Sequence, residues 1–191
     1  AILTEIAAAG ADLIYFPVFE PESNFFTAQA AETPGLEDTI LMGADASFVD
    51  GFPENTGDAA VGKYFSGPFV SPENEEYAAF LSFWDEEIGG VPPSGFHAHA
   101  YDATNILLNA IEAVAVETED GGLLIGRQAL RDAIADTEEY AGLTGVLTCQ
   151  DESPFAGDCA TGEALAVFQI GEEEVGGAWP PSPIWLPGTS D

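Results

Sequence analysis

The stretch TILMGADASF, Thr39 to Phe48, runs from an apolar segment through a glycine to a single carboxylate, Asp45. Its first part, Thr39 to Met42, predicts a short buried strand. The run ADLIYFPVF, Ala11 to Phe19, predicts a buried strand upstream, and ESNFFTAQAAET between the two predicts a helix. A strand–helix–strand series of this length predicts an α/β fold with a parallel sheet and right-handed connections.

The rest of the chain is more helical. VGKYFSGPFV predicts a third strand, whose Gly67-Pro68 bend places a boundary between two parts near Phe65 to Ser71. SPENEEYAAFLSFWDEEIG predicts a helix with Ser71 as its N-cap. HAHAYDATNILLNAIEAVAVE and IGRQALRDAIADT predict two more helices, and TGVLTC and EALAVFQI predict two more strands. The proline-rich end WPPSPIWLPGTSD predicts an extended arm or a linker.

Acidic side chains dominate the charge of the chain. There are 34 Asp and Glu against three Lys and Arg, which gives a formal net charge of −31. Such a surface repels phosphate backbones, so nucleic acid is excluded as a partner, and anionic membrane surfaces are disfavoured for the same reason. Three explanations of the acidity stay open: solubility in a saline medium, adaptation to an acidic medium, and attraction of cations. The dispersal of the acids along the chain favours the saline medium.

The start of the chain gives no targeting signal. No apolar run approaches the roughly 20 residues that span a bilayer, and the opening AILTEIAAAGADLIYF lacks the basic n-region of a signal peptide. The opening instead predicts the end of a helix that leads into the first strand. We therefore expect the chain to be a fragment of a longer protein, and the missing signal peptide does not decide where that protein resides.

The two cysteines, Cys149 and Cys159, flank a turn-rich loop in TCQDESPFAGDCATG. This arrangement predicts a disulfide across the base of the loop, which implies an oxidising, extracytoplasmic compartment. The alternative is a pair of unrelated buried thiols. Two histidines far upstream do not complete a zinc-binding pattern with them.

Two residues follow predicted strands at the ends where open α/β sheets bind ligands. Phe19 ends the first strand, and Asp45 comes just after the second. If the two strands are neighbours, an aromatic face and a carboxylate lie side by side, which suits an ammonium group through a hydrogen bond and a cation–π contact. The alternative is that Asp45 is a helix N-cap for the segment that follows. The residues alone leave both interpretations open.

A series of segments covers nearly the whole chain in one order: ADLIYFPVFEPES, LMGADASF, TGDAAVGKYFSGPFV, PSGF with AYDATNILLNAIEAV, GLTGVLTC and GDCATGEALAVFQIG. This series resembles the C-terminal portion of the substrate-binding proteins of branched-chain amino-acid ABC transporters. These are type I periplasmic binding proteins of the leucine/isoleucine/valine-binding kind. No single segment is specific, and the resemblance rests on the series as a whole.

The resemblance implies a two-lobed fold in which Rossmann-like lobes with parallel sheets close on a ligand about a hinge. Only the C-terminal part of that fold would be present. Residues 1–66 would belong to the second lobe, residues 70–150 would return to the first, and residues 151–191 would form crossover strands and a proline-rich tail. The resemblance also implies an amino acid or similar small zwitterion as ligand, the membrane permease of an ABC importer as partner, and a periplasmic or cell-surface location.

Three ligand contacts are implied by matching positions. Asp45 matches the acidic residue that pairs with the ligand ammonium, Phe19 matches the aromatic residue after the preceding strand, and Phe96 matches an aromatic residue of the side-chain pocket. The leucine/isoleucine/valine binders have Glu and Tyr at the first two positions. Because Asp45 is shorter and Phe19 lacks a hydroxyl, we expect a roomier or less polar pocket, which leaves branched-chain specificity open.

Other kinds of chemistry have little support. His97, His99 and Asp102 suggest a metal site, but positions two apart on a helix point in different directions, which favours solvated or capping histidines. Glycine-rich phosphate loops and a GxSxG elbow are absent from the sequence. We therefore expect a binding protein without catalytic residues, metal or cofactor. The alternatives are a sensor ectodomain of the same fold and a secreted enzyme that uses a carboxylate pair.

Overall fold

The computed structural model describes residues 2–92, 95–149, 157–159 and 164–188. Within these ranges the helices and strands, in chain order, are α1 (Ile2–Ala9), β1 (Leu13–Phe16), α2 (Glu22–Ala31), β2 (Ile40–Gly43), α3 (Gly51–Thr56), β3 (Tyr64–Pro68), α4 (Glu75–Glu87), α5 (His97–Val114), β4 (Val116–Glu117), β5 (Leu123–Leu124), α6 (Arg127–Ala135), β6 (Tyr140–Gly142), β7 (Gly145–Leu147), β8 (Leu165–Gln169), α7 (Glu172–Val175) and β9 (Pro183–Trp185).

These elements form two compact units. The first, which we call the sheet unit, comprises Ala1–Phe69, Pro92–Gly95 and Leu165–Asp191. The second, the helical unit, comprises Val70–Val91 and Phe96–Ala164. The chain therefore leaves the sheet unit just after β3, contributes Pro92–Gly95 to it, and returns to it at β8.

A five-stranded sheet is the centre of the sheet unit, with the strand order β1-β2-β3-β8-β9. β1, β2 and β3 are parallel, with Phe16 opposite Gly43 and Gly43 opposite Phe65. This confirms the predicted α/β fold and its strand–helix–strand series. β8 and β9 join in the antiparallel direction, so the sheet is mixed. Strand direction is set by pairing partners distant in the sequence, and EALAVFQI alone did not predict it.

Helices cover one face of this sheet. Successive strand residues point to opposite faces, and the residues on the covered face include Phe16, Leu41, Phe65 and Phe168, each at most 5% exposed. Side chains of α1 and α2 pack against Phe16 and Leu41. α3 packs against Phe65 through Phe52, with ring centroids 4.8 Å apart. Each fully buried phenyl ring contributes roughly 2–3 kcal/mol to the stability of this core.

The proline-rich end of the chain belongs to this unit, so the predicted arm or linker is wrong for its described part. β9 pairs with β8, and Val167 lies opposite Trp185. Trp179 packs on Phe48 with ring centroids 4.9 Å apart and joins the buried cluster around it. Proline favours an extended backbone, which is why the sequence predicted an arm or a linker. An extended segment also forms an edge strand when it lies beside a sheet.

The helical unit contains α4, α5 and α6 with two small hairpins, β4-β5 and β6-β7. α4 begins at Glu75, and Asn74 is its N-cap, accepting from the backbone N–H groups of Glu76 and Tyr77 at 2.9 and 3.1 Å. The predicted cap at Ser71 is therefore wrong. The Ser71 hydroxyl accepts from the N–H of Glu73 at 3.2 Å and stabilises the turn before the helix.

The predicted disulfide joins Cys149 to Cys159. Residues 150–156 of the loop that it closes lie outside the described residues. Among the described helices, none is both long enough and apolar enough to cross a bilayer.

Candidate functional site

The candidate site lies where β1 and β2 end together. The two strands are parallel neighbours, and their last residues, Phe16 and Gly43, lie opposite each other. The loops that follow these two residues therefore begin at the same edge of the sheet. The condition for bringing Phe19 and Asp45 to one edge, that their strands be neighbours, is met.

Gly43 ends β2 against an aromatic ring. A Cβ atom built at Gly43 would lie 2.8 Å from Cδ1 of Phe65 and closer still to Cε1. Only glycine lets the backbone pass the buried ring of Phe65 at this distance. The chain then continues in an extended conformation at Ala44 and enters a 3-10 turn, Asp45–Ser47.

Two backbone hydrogen bonds and the burial of two neighbouring side chains hold this turn in place. The N–H of Ser47 donates to the carbonyl of Ala44 at 3.2 Å, and the N–H of Phe48 donates to the carbonyl of Asp45 at 3.1 Å. Ser47 and Phe48 are both buried. Asp45 is the exposed residue of this turn, so a hydrogen-bonded backbone presents its carboxylate to solvent.

The cap interpretation of Asp45 is wrong. Ala44 is the N-cap of the 3-10 turn, Asp45 is its first residue, and no side-chain cap hydrogen bond is formed. The carboxylate therefore has no structural role as a cap. The ligand role of Asp45 stays a prediction, and the capping role no longer competes with it.

Phe19 lies beyond the strand that was expected to end with it. β1 ends at Phe16 because Pro17 has no N–H for the sheet, and Phe19 lies in the loop before α2, where its carbonyl accepts from the N–H of Ser23 at 3.0 Å. Its ring is 71% exposed. The aromatic side chain is thus free at the same sheet edge as Asp45, on the neighbouring loop.

A polar cluster that the sequence did not reveal joins the two loops. The carboxylate of Glu20 accepts from the side-chain amide of Asn24 at 2.6 Å and from that of Asn55 at 3.4 Å. Asn24 belongs to α2 and Asn55 to α3. Glu20 therefore ties the loop that carries Phe19 to the element that follows Asp45. The spacing of Glu20 and Asn24 by four residues was visible in the sequence, but the partner 35 positions away was not.

Phe96 belongs to the helical unit. It is the N-cap residue of α5, has no side-chain cap hydrogen bond, and is 41% exposed. Its ring is thus available for contact, and its ligand role stays a prediction.

Two of the three residues that suggested a metal site, His97 and Asp102, contact other parts of the protein. Nε2 of His97 lies 2.8 Å from the hydroxyl of Tyr77, and the imidazole stacks on Phe80 with centroids 5.8 Å apart. Asp102, 1% exposed, accepts from the N–H groups of Leu143 and Thr144, each at 2.8 Å. Within the described residues there is no group of three His, Cys, Asp or Glu that could hold a metal ion.

The Gly43→Ala substitution is expected to lower the free energy of unfolding by about 1–3 kcal/mol, because the added methyl group must displace the buried Phe65 ring. Urea unfolding measures this. Gly51→Ala is the matched control, since a Cβ there meets nothing closer than 3.5 Å and alanine favours the helix. Equal stability of the two variants would contradict the close packing at Gly43.

A family model described as periplasmic binding protein matches residues 1–170. No curated protein matches the chain, whereas 61 chains of known structure do. Because the family model covers most of the chain, it establishes the family without help from individual relatives.

Three solved structures illustrate the shared fold. A leucine binding protein from Thermotoga maritima has a TM-score of 0.72 at 21% identity, covering 97% of this chain and 48% of its own. A type 1 periplasmic binding protein from Bordetella pertussis has a TM-score of 0.69 at 19% identity, covering 95% and 48%. An ABC transporter solute binding protein from R. palustris, in complex with benzoate, has a TM-score of 0.67 at 20% identity, covering 97% and 45%.

The chain therefore spans about half the length of the solved proteins that it resembles. At these identities the likeness shows the fold, and it does not identify the ligand. The chain belongs to the periplasmic binding protein family and has the type I fold of the leucine-binding kind.

Proposed function

We propose that the chain is part of an extracytoplasmic solute-binding protein that delivers an amino acid or similar small zwitterion to an ABC importer. The observation that carries this proposal is the exposed carboxylate of Asp45, held by a hydrogen-bonded turn at the carboxyl edge of the sheet without a capping role. Family membership supports the solute-binding class. The disulfide supports an oxidising location outside the cytoplasm.

The ligand ammonium would pair with Asp45 and lie against the ring of Phe19. A charge-assisted hydrogen bond to a carboxylate is about twice as strong as a neutral one, and an aromatic face adds a cation–π contact. Both residues follow neighbouring parallel strands, which is where open α/β sheets bind ligands. Phe96, which is 41% exposed, is the third proposed ligand contact and would lie against the ligand side chain.

The charge of this edge favours an ammonium compound over a simple carboxylate. One relative of the same fold was solved with benzoate, an anion without an ammonium group. A carboxylate such as Asp45 repels benzoate and attracts a cation. We therefore propose a ligand with an ammonium group for this chain.

Transport would follow from closure of the two lobes on the ligand. A ligand that contacts both lobes binds the closed state more tightly than the open state and so shifts the equilibrium toward closure. The permease would then recognise the closed form. No step of this function requires catalysis, a metal or a cofactor.

Asp45→Asn is expected to weaken amino-acid binding by the whole protein at least about 100-fold, because a neutral amide replaces the ionic partner of the ammonium. A thermal-shift screen of amino acids, amides and benzoate identifies the ligand, and calorimetry measures its affinity. Asp50→Asn is the matched control, since Asp50 is also exposed and its side chain accepts only from the N–H of Gly51 among described residues.

Two results would count against the proposal. A ligand that binds Asp45→Asn as tightly as the parent protein would remove the ammonium site and keep the solute-binding class. The absence of binding by any compound in the screen would contradict the class of ligand itself.

A sensor ectodomain is the second candidate. The observation in its favour is that other solved proteins of this fold are described as extracellular ligand-binding receptors, such as one from Rhodopseudomonas palustris with a TM-score of 0.65. The same ligand site would then drive signalling and not import. Uptake of labelled ligand by cells with and without the gene distinguishes the two functions.

A further inference from the structure

The loop that carries Phe19 lies at the surface, and its backbone hydrogen bonds are local. Residues 17–19, between β1 and α2, are exposed, and the Phe19 side chain is 71% exposed. The N–H of Val18 donates to the carbonyl of Phe16 at 2.9 Å. The N–H of Ser23 donates to the carbonyl of Phe19 at 3.0 Å. These bonds give the loop its local shape, but they do not hold it against the rest of the site.

The turn that carries Asp45 is held differently, by the core of the sheet unit. Phe48 directly follows the turn, and Phe52 lies in α3, and their side chains are 4% and 0% exposed. Both belong to the buried cluster that contains Phe65 of β3. Packing therefore sets the positions of Asp45 and α3, whereas the position of Phe19 depends on a separate link to them.

The carboxylate of Glu20 supplies such a link. Its Oε1 atom accepts from Nδ2 of Asn24 at 2.6 Å and from Nδ2 of Asn55 at 3.4 Å. The first bond joins the loop to α2, and the second joins it to α3 across 35 positions of sequence. A Cβ atom built at Gly51 would lie 3.5 Å from Oε2, so the carboxylate also lies against the first residue of α3.

We infer that Glu20 is a positioning residue for the ammonium site, and that it acts through Phe19 by holding the loop of this ring at the sheet edge beside Asp45. The inference rests on the proposed function and adds a residue that does not itself contact the ligand. A side chain that is immobilised only on binding costs affinity, whereas one that is held in place beforehand does not. Loss of the link is therefore expected to weaken binding while both ligand contacts remain in the protein.

The partners of Glu20 distinguish this role from direct binding of the cation. Both partners are uncharged side-chain amides, and they share one oxygen of the carboxylate. Glu20→Gln keeps an acceptor for both amides in its carbonyl oxygen and loses only the charge. The two roles therefore predict opposite results for this substitution, because direct binding of a cation requires the charge and positioning does not.

The inference is tested by titrating the whole protein with an equimolar mixture of the twenty standard amino acids and measuring the thermal shift. We expect Glu20→Ala to raise the half-saturating concentration of the mixture about three- to tenfold, as for one side chain that is immobilised only on binding. Glu20→Gln should stay within about twofold of the parent protein. Glu22→Ala, which removes an exposed carboxylate from the first residue of α2, is the matched control and should have no effect.

A double-mutant cycle with Phe19→Ala shows whether Glu20 acts through the ring. The effect of Glu20→Ala should disappear in the Phe19→Ala background, because no ring is left to be positioned. An equal effect in both backgrounds would overturn the inference, since it would give Glu20 a general structural role. A loss in Glu20→Gln as large as that in Glu20→Ala would also overturn it, since the charge itself would then be needed.

Hydrogen exchange of the ligand-free protein measures the link by itself. The amides of Val18 and Ser23 should exchange at least about tenfold faster in Glu20→Ala than in the parent protein or in Glu20→Gln, and unaltered exchange would contradict the positioning role. If the parent protein shows no thermal shift with the mixture, the proposed function fails and this inference fails with it. A shift that is present in the parent protein and unchanged in Glu20→Ala overturns this inference alone.

Discussion

Asp102→Asn is expected to lower the free energy of unfolding by about 2–4 kcal/mol, although the substitution preserves the shape of the side chain. One oxygen of Asp102 accepts from the N–H of Leu143 at 2.8 Å. The other accepts from the N–H of Thr144 at 2.8 Å and from the hydroxyl of Thr144 at 2.7 Å. An amide has only one oxygen, so asparagine must turn its NH₂ group toward a buried N–H group.

The site around Asp102 cannot relax to avoid this conflict. Gly142 packs against the carboxylate so closely that a Cβ there would lie 2.6 Å from one of its oxygens. Burial raises the pKa of Tyr140, and the charge of Asp102 adds to this rise. Asp102 thus anchors the two-residue turn between β6 and β7 to α5 across 41 positions of sequence.

Denaturant unfolding of Asp102→Asn beside Asp132→Asn gives the decisive comparison. Asp132 is exposed on α6 and accepts from the side chain of Gln128 at 2.7 Å, a bond that asparagine keeps. The control should therefore lose less than about 0.5 kcal/mol. A similar small loss in both variants would contradict the anchoring role of Asp102.

The same residue shows what the sequence could not reveal. Helix periodicity predicted α5, and the spacing of His97, His99 and Asp102 raised the question of a metal. The actual partners of Asp102 lie in a hairpin, β6-β7, of which only the second strand was predicted. Contacts over such distances depend on how units of structure pack, and no local pattern of residues encodes them.

The sequence predicted at which edge of the sheet the candidate site lies, but it did not predict the local structure of the site. Apolar runs gave β1 and β2, and their parallel pairing followed from the helix between them. The end of β1 was misplaced because the apolar residues continue after Pro17, which itself cannot donate to the sheet. The capping interpretation of Asp45 failed for a reason that is visible only in three dimensions, since Ala44 occupies the cap position.

A strong dependence of stability on salt is the second large effect that we expect. The melting temperature should rise by about 10 °C between roughly 0.1 M and 2 M KCl, which corresponds to about 3 kcal/mol for a chain of this size. The cause is the formal net charge of −31, which three basic side chains cannot balance. Unfolding moves the carboxylates apart, so their mutual repulsion favours the unfolded chain at low salt.

Runs of adjacent acidic residues make the melting temperature depend on salt concentrations up to about 1 M. Asp85–Glu87 ends α4, and Glu172–Glu174 forms most of α7. Charges this close are poorly screened at 0.1 M salt, where the Debye length is about 10 Å, and well screened at 1 M, where it is about 3 Å. Placing three acids in the last turn of α4 also opposes the helix dipole until salt screens it.

Comparing KCl with two other treatments separates the three explanations of the acidity. If the protein is adapted to a saline medium, molar KCl stabilises it while millimolar Mg²⁺ does not, because the described carboxylates form no group that could hold a metal ion. If millimolar Mg²⁺ gives the full rise, attraction of cations is the explanation. If acidification at low salt raises the melting temperature more than KCl does, adaptation to an acidic medium is favoured. A melting temperature that does not change with KCl, Mg²⁺ or acid would contradict the role of charge repulsion.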